Sequence, residues 1–299
     1  MNMFSQVLDC HGRELVLDRP RIVGIVNVTA DSFSDGGRYL DPAKAIEHAL
    51  RLVDEGADMV DIGAESTRPG ASPIPAGEQI ARVVPVIEAV TARTGVPISI
   101  DTSDAEVMRR AVAAGAGFVN DTRALRGDGA LDLVAELGVV VCLMHMQGEP
   151  RTMQDDPGYD DVVGEVHRFL SDRVFACQLA GIDKKRIVVD PGFGFGKSLE
   201  HNVALLRHLQ RFAEIAPVMA GLSRKSMIAA LTGRTDPGSR LSGSLAAAVI
   251  AAQRGAALIR VHDVAATRDA LAVSVACADD PVRPARSGMA STSARWDDD

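Results

Sequence analysis

The sequence predicts an α/β fold, a (β/α)8 TIM barrel of eight parallel strands alternating with helices, and three observations predict it. Short apolar runs recur at Ile22–Val26, Met59–Ile62, Ile98–Ile100, Phe118–Val119, Val139–Leu143, Ile187–Val189, Val218–Met219 and Leu258–Val261. Most of the stretches between them place apolar residues at helical spacing. Gly56-Ala57, Gly115-Ala116 and Gly255-Ala256 repeat one helix-to-strand turn, where the residue after a helix often takes a left-handed conformation that a β-carbon disfavours. Strands alternating with helices imply a parallel sheet, and a count of eight favours closure over an open sheet.

Taken in order, residues Gln6–Leu17 alternate loosely around Gly12 and predict a small N-terminal hairpin that plugs the N-terminal end of the barrel. The first helix after a strand carries Ala45, Ile46, Ala49, Leu52 and Val53 on one face, with Asp41 as N-cap, Pro42 at its first position and Gly56 as its stop. The alternation then repeats to the last apolar run. Residues 1–280 are expected to form one domain, because a barrel of this kind takes roughly 250 residues. Residues 281–299, rich in Pro, Arg, Ser and Ala, offer no apolar face and predict a flexible, disordered C-terminal tail.

Composition narrows the function. A net charge of −8 argues against a surface for nucleic acid or anionic membrane, since both need clustered positive charge. Met1 to Gln6 lack the basic flank and apolar stretch of a secretion signal, and no apolar run approaches the ~20 residues that span a bilayer. A cytoplasmic protein is expected. Cys10, Cys142, Cys177 and Cys277 lie far apart without metal-ligand spacing, so they read as free thiols, mostly buried.

In such a barrel the active site forms at the C-terminal ends of the strands. Here those ends are polar in register: Asn27, Glu65 to Arg68, Asp101, Asn120-Asp121, His145, Asp190, Ser223 to Ser226, and His262-Asp263. Asp101, Asn120 and Asp190 can exchange hydrogen bonds with the ring N–H and amino groups of a guanidine-like heterocycle, while Lys225 and Arg260 supply donors. Met144 and Phe195 suit a flat slot for such a ring. The string Pro191 to Ser198 ends like a phosphate-binding loop but has proline where that motif needs glycine, so it reads as a strand-end loop whose backbone approaches a ligand closely. Ser223 to Ser226 precede a helical run from Met227 and are expected to bind an anion. His145, directly after a strand, reads as a packed residue rather than a base.

Eight strings carry a family resemblance. Asn27 to Gly37 (NVTADSFSDGG), Gly63 to Gly70 (GAESTRPG) and Asp190 to Lys197 (DPGFGFGK) closely resemble the signatures of dihydropteroate synthases. So do Ser99 to Thr102, Val119 to Asp121, Leu143 to Gly148, Ser223 to Ser226 and Arg260 to Val264, in order over Ile22 to Val275. The resemblance implies condensation of 6-hydroxymethyl-7,8-dihydropterin diphosphate with p-aminobenzoate, releasing pyrophosphate. It implies that Asp101, Asp190, Lys225 and Arg260 are the catalytic residues and that, with Asn120, Met144 and Phe195, they hold the pterin. Asn27, Thr67, Arg260 and His262 would address the diphosphate, and Asn27 would ligate Mg²⁺. Phe33, Thr67, Arg68, Pro69, Phe195, Lys225 and Ser226 would form the p-aminobenzoate site. Sulfonamides as inhibitors and a homodimer are implied as well. The sequence departs from the family pattern at Ala30, where proline is usual, and at Asp104-Ala105, where lysine and proline are common. A pterin-binding methyltransferase and a non-catalytic homologue are the alternative readings.

Overall fold

The computed structural model describes residues 6–29, 42–65, 74–149 and 152–277. Residues 278–299, which include the tail expected at 281–299, together with the Asp41 cap, Ala30, Phe33, Thr67, Arg68 and Pro69, therefore lie outside the described residues. The barrel strands are β3 (Arg21–Asn27), β4 (Met59–Gly63), β5 (Ile98–Asp101), β6 (Phe118–Asp121), β7 (Val140–Met144), β8 (Ile187–Asp190), β9 (Val218–Ala220) and β10 (Ala256–Val261). They pair in parallel in chain order, and β10 returns to β3 to close the ring. The TIM barrel read from the sequence is the fold observed.

The observed strands reach one or two residues past several apolar runs and take in Asn27, Gly63, Asp101, Asp121 and Asp190. Register explains this: Asn27 lies opposite Gly63, Gly63 opposite Asp101, and Asp101 opposite Asn120. These polar ends are the last paired positions of the sheet, held by its ladder rather than by loops.

Strand side chains alternate between the two faces, and the apolar core divides accordingly. Outward residues such as Ile62, Ile100, Val119, Leu143 and Val189 pack on the surrounding helices. Those helices are α1 (Pro42–Asp54), α2 (Ala76–Arg93), α3 (Ala105–Ala113), α4 (Ala130–Leu137), α5 (Val162–Leu179) and α6 (Leu199–Arg207). After β9 come two, α7 (Ser226–Thr232) and α8 (Leu241–Gln253), and α9 (Val264–Ala276) follows β10. Gly56, Gly115 and Gly255 have φ of +102°, +116° and +90°, the left-handed turn that their repetition predicts. Asp104 caps α3 by accepting from the amides of Glu106 and Val107, and Ala105 occupies the first helical position, the one place in a helix where proline and alanine are interchangeable. The departure from the family pattern is thereby absorbed locally.

Inward residues of the lower barrel, Val23, Met59, Phe118, Val140, Cys142, Val188, Met219 and Leu258, form a second core. A hairpin of β1 (Gln6–Asp9) and β2 (Glu14–Leu17) closes it by adding Leu8, Cys10 and Leu15. The plug seats tightly: a Cβ on Gly117 would overlap the carbonyl of Cys10. Cys10, Cys142 and Cys177 are buried free thiols and Cys277 is an exposed one. No helix among the described residues is long and apolar enough to cross a membrane.

Because the Leu8 side chain is fully buried in this plug, Leu8→Ala should destabilise the protein by about 2–5 kcal/mol in urea unfolding. A loss below about 0.5 kcal/mol would show that the hairpin is not part of the cooperative core.

Candidate active site

Above the apolar layer the same inward positions turn polar. Asp61 sits in the middle of β4, Asp101 ends β5, Asn120 lies on β6 and Arg260 on β10. The Arg260 guanidinium donates from Nε to Asp61 Oδ2 at 2.6 Å and from Nη2 to Asp101 Oδ2 at 2.7 Å. Asn120 Nδ2 donates to the same Asp61 oxygen at 3.0 Å. Four strands are tied through one cation and two carboxylates. Asp61 Oδ1 is buried without a hydrogen-bond partner among the described residues.

Burial pushes the Asp101 carboxyl from its ordinary range up to about 7; Arg260 opposes this and Asp61 adds to it. Burial also raises Asp190, against the pull of Lys225. Asp190 Oδ1 accepts from the Gly192 amide at 2.7 Å, so one oxygen is fixed by the following loop. Lys225 lies over the Phe195 ring with Nζ 4.5 Å from its centroid, and donates to the Phe193 carbonyl. Burial lowers its pKa to about 8, with Asp190 acting in the opposite sense. Phe195 packs with Met144, Met146 and Met153, which gives the mouth one apolar wall.

Of the residues singled out in the sequence, the described ones brought together are Asp101, Asn120 and Arg260 in one network, with Lys225 and Phe195 stacked and Met144 beside them. Asn27 ends β3, half-buried, level with Gly63. His262 Nδ1 meets Ser223 Oγ at 3.0 Å. Ser226 is exposed at the start of α7.

Other polar residues have structural tasks. Asp121 accepts from Ser103 Oγ at 2.5 Å and from the Arg123 and Leu125 amides at 2.7 and 2.8 Å, holding a turn in which Ala124 and Leu125 have positive φ. Ser223 to Ser226 lead into α7. The helix they introduce has only seven residues, and Arg224 is engaged with Asp263 through Nε at 3.0 Å and Nη2 at 2.5 Å. His145 is buried and packed, as its position after β7 suggests.

Sequence reasoning missed Asp61 and Lys197. The signal for Asp61 was its parity: it stands two residues before Gly63 in Met59–Gly63, and so faces inward as Gly63 does. Lys197 falls in the string Pro191 to Ser198, where nothing local marks it, and the structure buries it to 3% exposure, which is unusual for a lysine.

Comparison with known proteins agrees with this geometry. A family model described as pterin binding enzyme matches residues 23–262. The dihydropteroate synthase of Escherichia coli K12 is 49% identical over 274 residues, covering 91% of this chain and 95% of that protein. The chain belongs to the dihydropteroate synthase family. Among solved structures of that family, the Xanthomonas albilineans enzyme with 4-aminobenzoic acid is 60% identical with a TM-score of 0.88, covering 93% of this chain and 100% of that one. The Yersinia pestis enzyme in a sulfonamide drug complex is 47% identical with a TM-score of 0.86, covering 90% and 98%.

The raised Asp101 pKa has a consequence for stability. The folded state keeps that proton to higher pH than the unfolded chain, so the contribution is full below the unfolded pKa and is lost as pH rises through about 7. Asp101→Asn does not titrate and should gain stability relative to the unaltered protein between about pH 4 and 8, read as urea midpoints. A stability difference constant across that window would contradict the raised pKa.

Proposed function

We propose that the chain is a dihydropteroate synthase in which the polar upper layer of the barrel holds the pterin and the adjoining mouth receives p-aminobenzoate. The observation that carries the reading is the pairing of two kinds of partner in one small space. Asp101, Asp190 and Asn120 accept from, or exchange hydrogen bonds with, the guanidine-like edge of the ring. Lys225 and Arg260 donate to its carbonyl and nitrogens, and Met144 and Phe195 cover its face.

In the reaction the bond from the pterin methylene carbon to the diphosphate oxygen breaks, and the electron pair leaves with pyrophosphate. The nitrogen of p-aminobenzoate donates its lone pair to the methylene and loses a proton to solvent. Asp101 and Asp190 lie where positive charge spreads into the ring and stabilise it, while Arg260 and His262 oppose the negative charge growing on the leaving group. Phe195, Lys225 and Ser226 supply one side of the arylamine pocket; Phe33, Thr67, Arg68 and Pro69 are proposed for the other. Positioning accounts for the rest, since no side-chain nucleophile is required.

Mg²⁺ is the cofactor we propose, and Asn27 the residue that would hold it. A single amide oxygen suits a cation that completes its shell with substrate phosphates and water. Among the described residues no group of three or more His, Cys, Asp or Glu could hold a metal unaided. When bound, the ion would neutralise charge on the diphosphate. We also propose a homodimer, supported by Leu231, Ile250 and Val273, which leave apolar area exposed on α7, α8 and α9; a monomeric mass by light scattering would remove it. The cytoplasm is the proposed compartment, consistent with four free cysteines.

The purified chain should release pyrophosphate and form 7,8-dihydropteroate only when both substrates and Mg²⁺ are present, and chelation should abolish the release. Lys225→Ala should weaken pterin binding about ten- to hundredfold, the equivalent of ~1.5–3 kcal/mol for a lost charged hydrogen bond. Absence of pyrophosphate release from the intact protein, with pterin binding retained, would favour a non-catalytic pterin-binding homologue.

A further inference from the structure

Lys197 is 3% exposed, and no carboxylate stands among its hydrogen-bond partners. Its Nζ meets His145 Nδ1 at 2.9 Å, the Phe195 carbonyl at 2.9 Å and the His145 carbonyl at 3.4 Å. Three partners match the three positions an amino group can use. Burying such a group against neutral acceptors is costly, and an apolar side chain of similar length would fill the same volume at less cost. Stability alone therefore does not account for a lysine here.

Its partners say what it does. Phe195 belongs to the loop Gly192–Gly196 that follows β8, and His145 follows β7, so Lys197 joins the ends of two adjacent strands. The two segments are already seated closely: Gly192 and Gly196 have φ of +71° and +62°, and a Cβ on either would overlap the carbonyl of His145 or Gln147. His145 is held from its other side by an edge-on contact with Phe169 at 4.8 Å, and its amide donates to the Asp190 carbonyl at 3.0 Å. The loop in turn carries the Phe193 carbonyl that binds Lys225 and the Phe195 ring beneath it.

We propose that Lys197, with His145 as its anchor, is a positioning residue for the pterin site: its buried amino group pins Gly192–Gly196 to the end of β7 and so fixes where Phe195 and Lys225 meet the heterocycle. The proposal rests on the pterin-binding reading above. Burial, with Lys197 adding to it, lowers the His145 pKa to about 3, so the ring stays neutral in the neutral range, and burial likewise lowers the Lys197 amino group, against the pull of Asp190.

The test uses the full chain and two independent readouts. Lys197→Met keeps the volume and removes the amino group. Amide hydrogen exchange at Gly192, Gly194 and Phe195 should quicken at least about tenfold, and the KM for the dihydropterin diphosphate should rise at least about tenfold while kcat falls less. His145→Asn retains an acceptor near the Nδ1 position and should stay within about threefold of the unaltered protein, whereas His145→Leu should behave as Lys197→Met; this pair decides the matter if Lys197→Met does not fold. Unchanged loop exchange, an unchanged KM, or equal behaviour of the two His145 variants would each overturn the proposal. If the unaltered protein itself fails to turn over, the functional reading falls, and the exchange rates still judge the clamp.

Discussion

The Arg260 guanidinium inside the barrel is the interaction on which the upper half of the molecule depends. It bridges Asp61 and Asp101 from a strand that lies on the far side of β3, and Asn120 completes the group. Removing a guanidinium and two carboxylates from water costs several kcal/mol per ion unless each is well partnered, so such a network is weak evidence of stability. Its value is preorganisation. Donors and acceptors are fixed before a ligand arrives, in surroundings where each electrostatic contact counts for more than in water. The same desolvation raises Asp101 and Asp190 and lowers Lys225, so burial disfavours the charged forms of the groups that would grip a heterocycle.

The lower barrel makes this tolerable. Its inward positions are apolar, and the β1–β2 hairpin seals them from solvent. The polar layer consequently opens in one direction only, toward the loops at the C-terminal ends of the strands. A strict two-residue alternation sends the neighbours of each polar residue outward to the helices, so a change of one residue in strand register would exchange a binding group for a core valine or isoleucine. The ladder that pairs Asn27, Gly63, Asp101 and Asn120 across adjacent strands is therefore also what aligns the site.

Much of this is legible in the sequence. Apolar runs locate all eight barrel strands, and the repeated Gly-Ala turn marks three helix ends with positive φ. The alternation around Gly12 anticipates the plug. Asp101, Asn120, Asp190, Lys225 and Arg260 can be picked out because they close apolar runs or lie beside strand ends. What resists reading is pairing. Asp61 lies inside a run and looks like an interruption of it, and only the partner on β10 explains the charge. Lys197 looks like part of a failed phosphate loop because its acceptor, His145, is 52 residues away. Arg224 pairs with Asp263, 39 residues further along the chain, which local pattern does not show. Local pattern specifies where a side chain sits on its element; long-range partners decide its role.

The most direct measurement is a crystal structure of the protein with a pterin and pyrophosphate bound. The account predicts the pterin's guanidine-like edge on Asp101, Asn120 and Asp190, Lys225 and Arg260 donating to the ring, and its face against Met144 and Phe195, with Asp61 still bound to Arg260. A pterin bound elsewhere, or bound at the mouth without contact to Asp101 and Asp190, would contradict it.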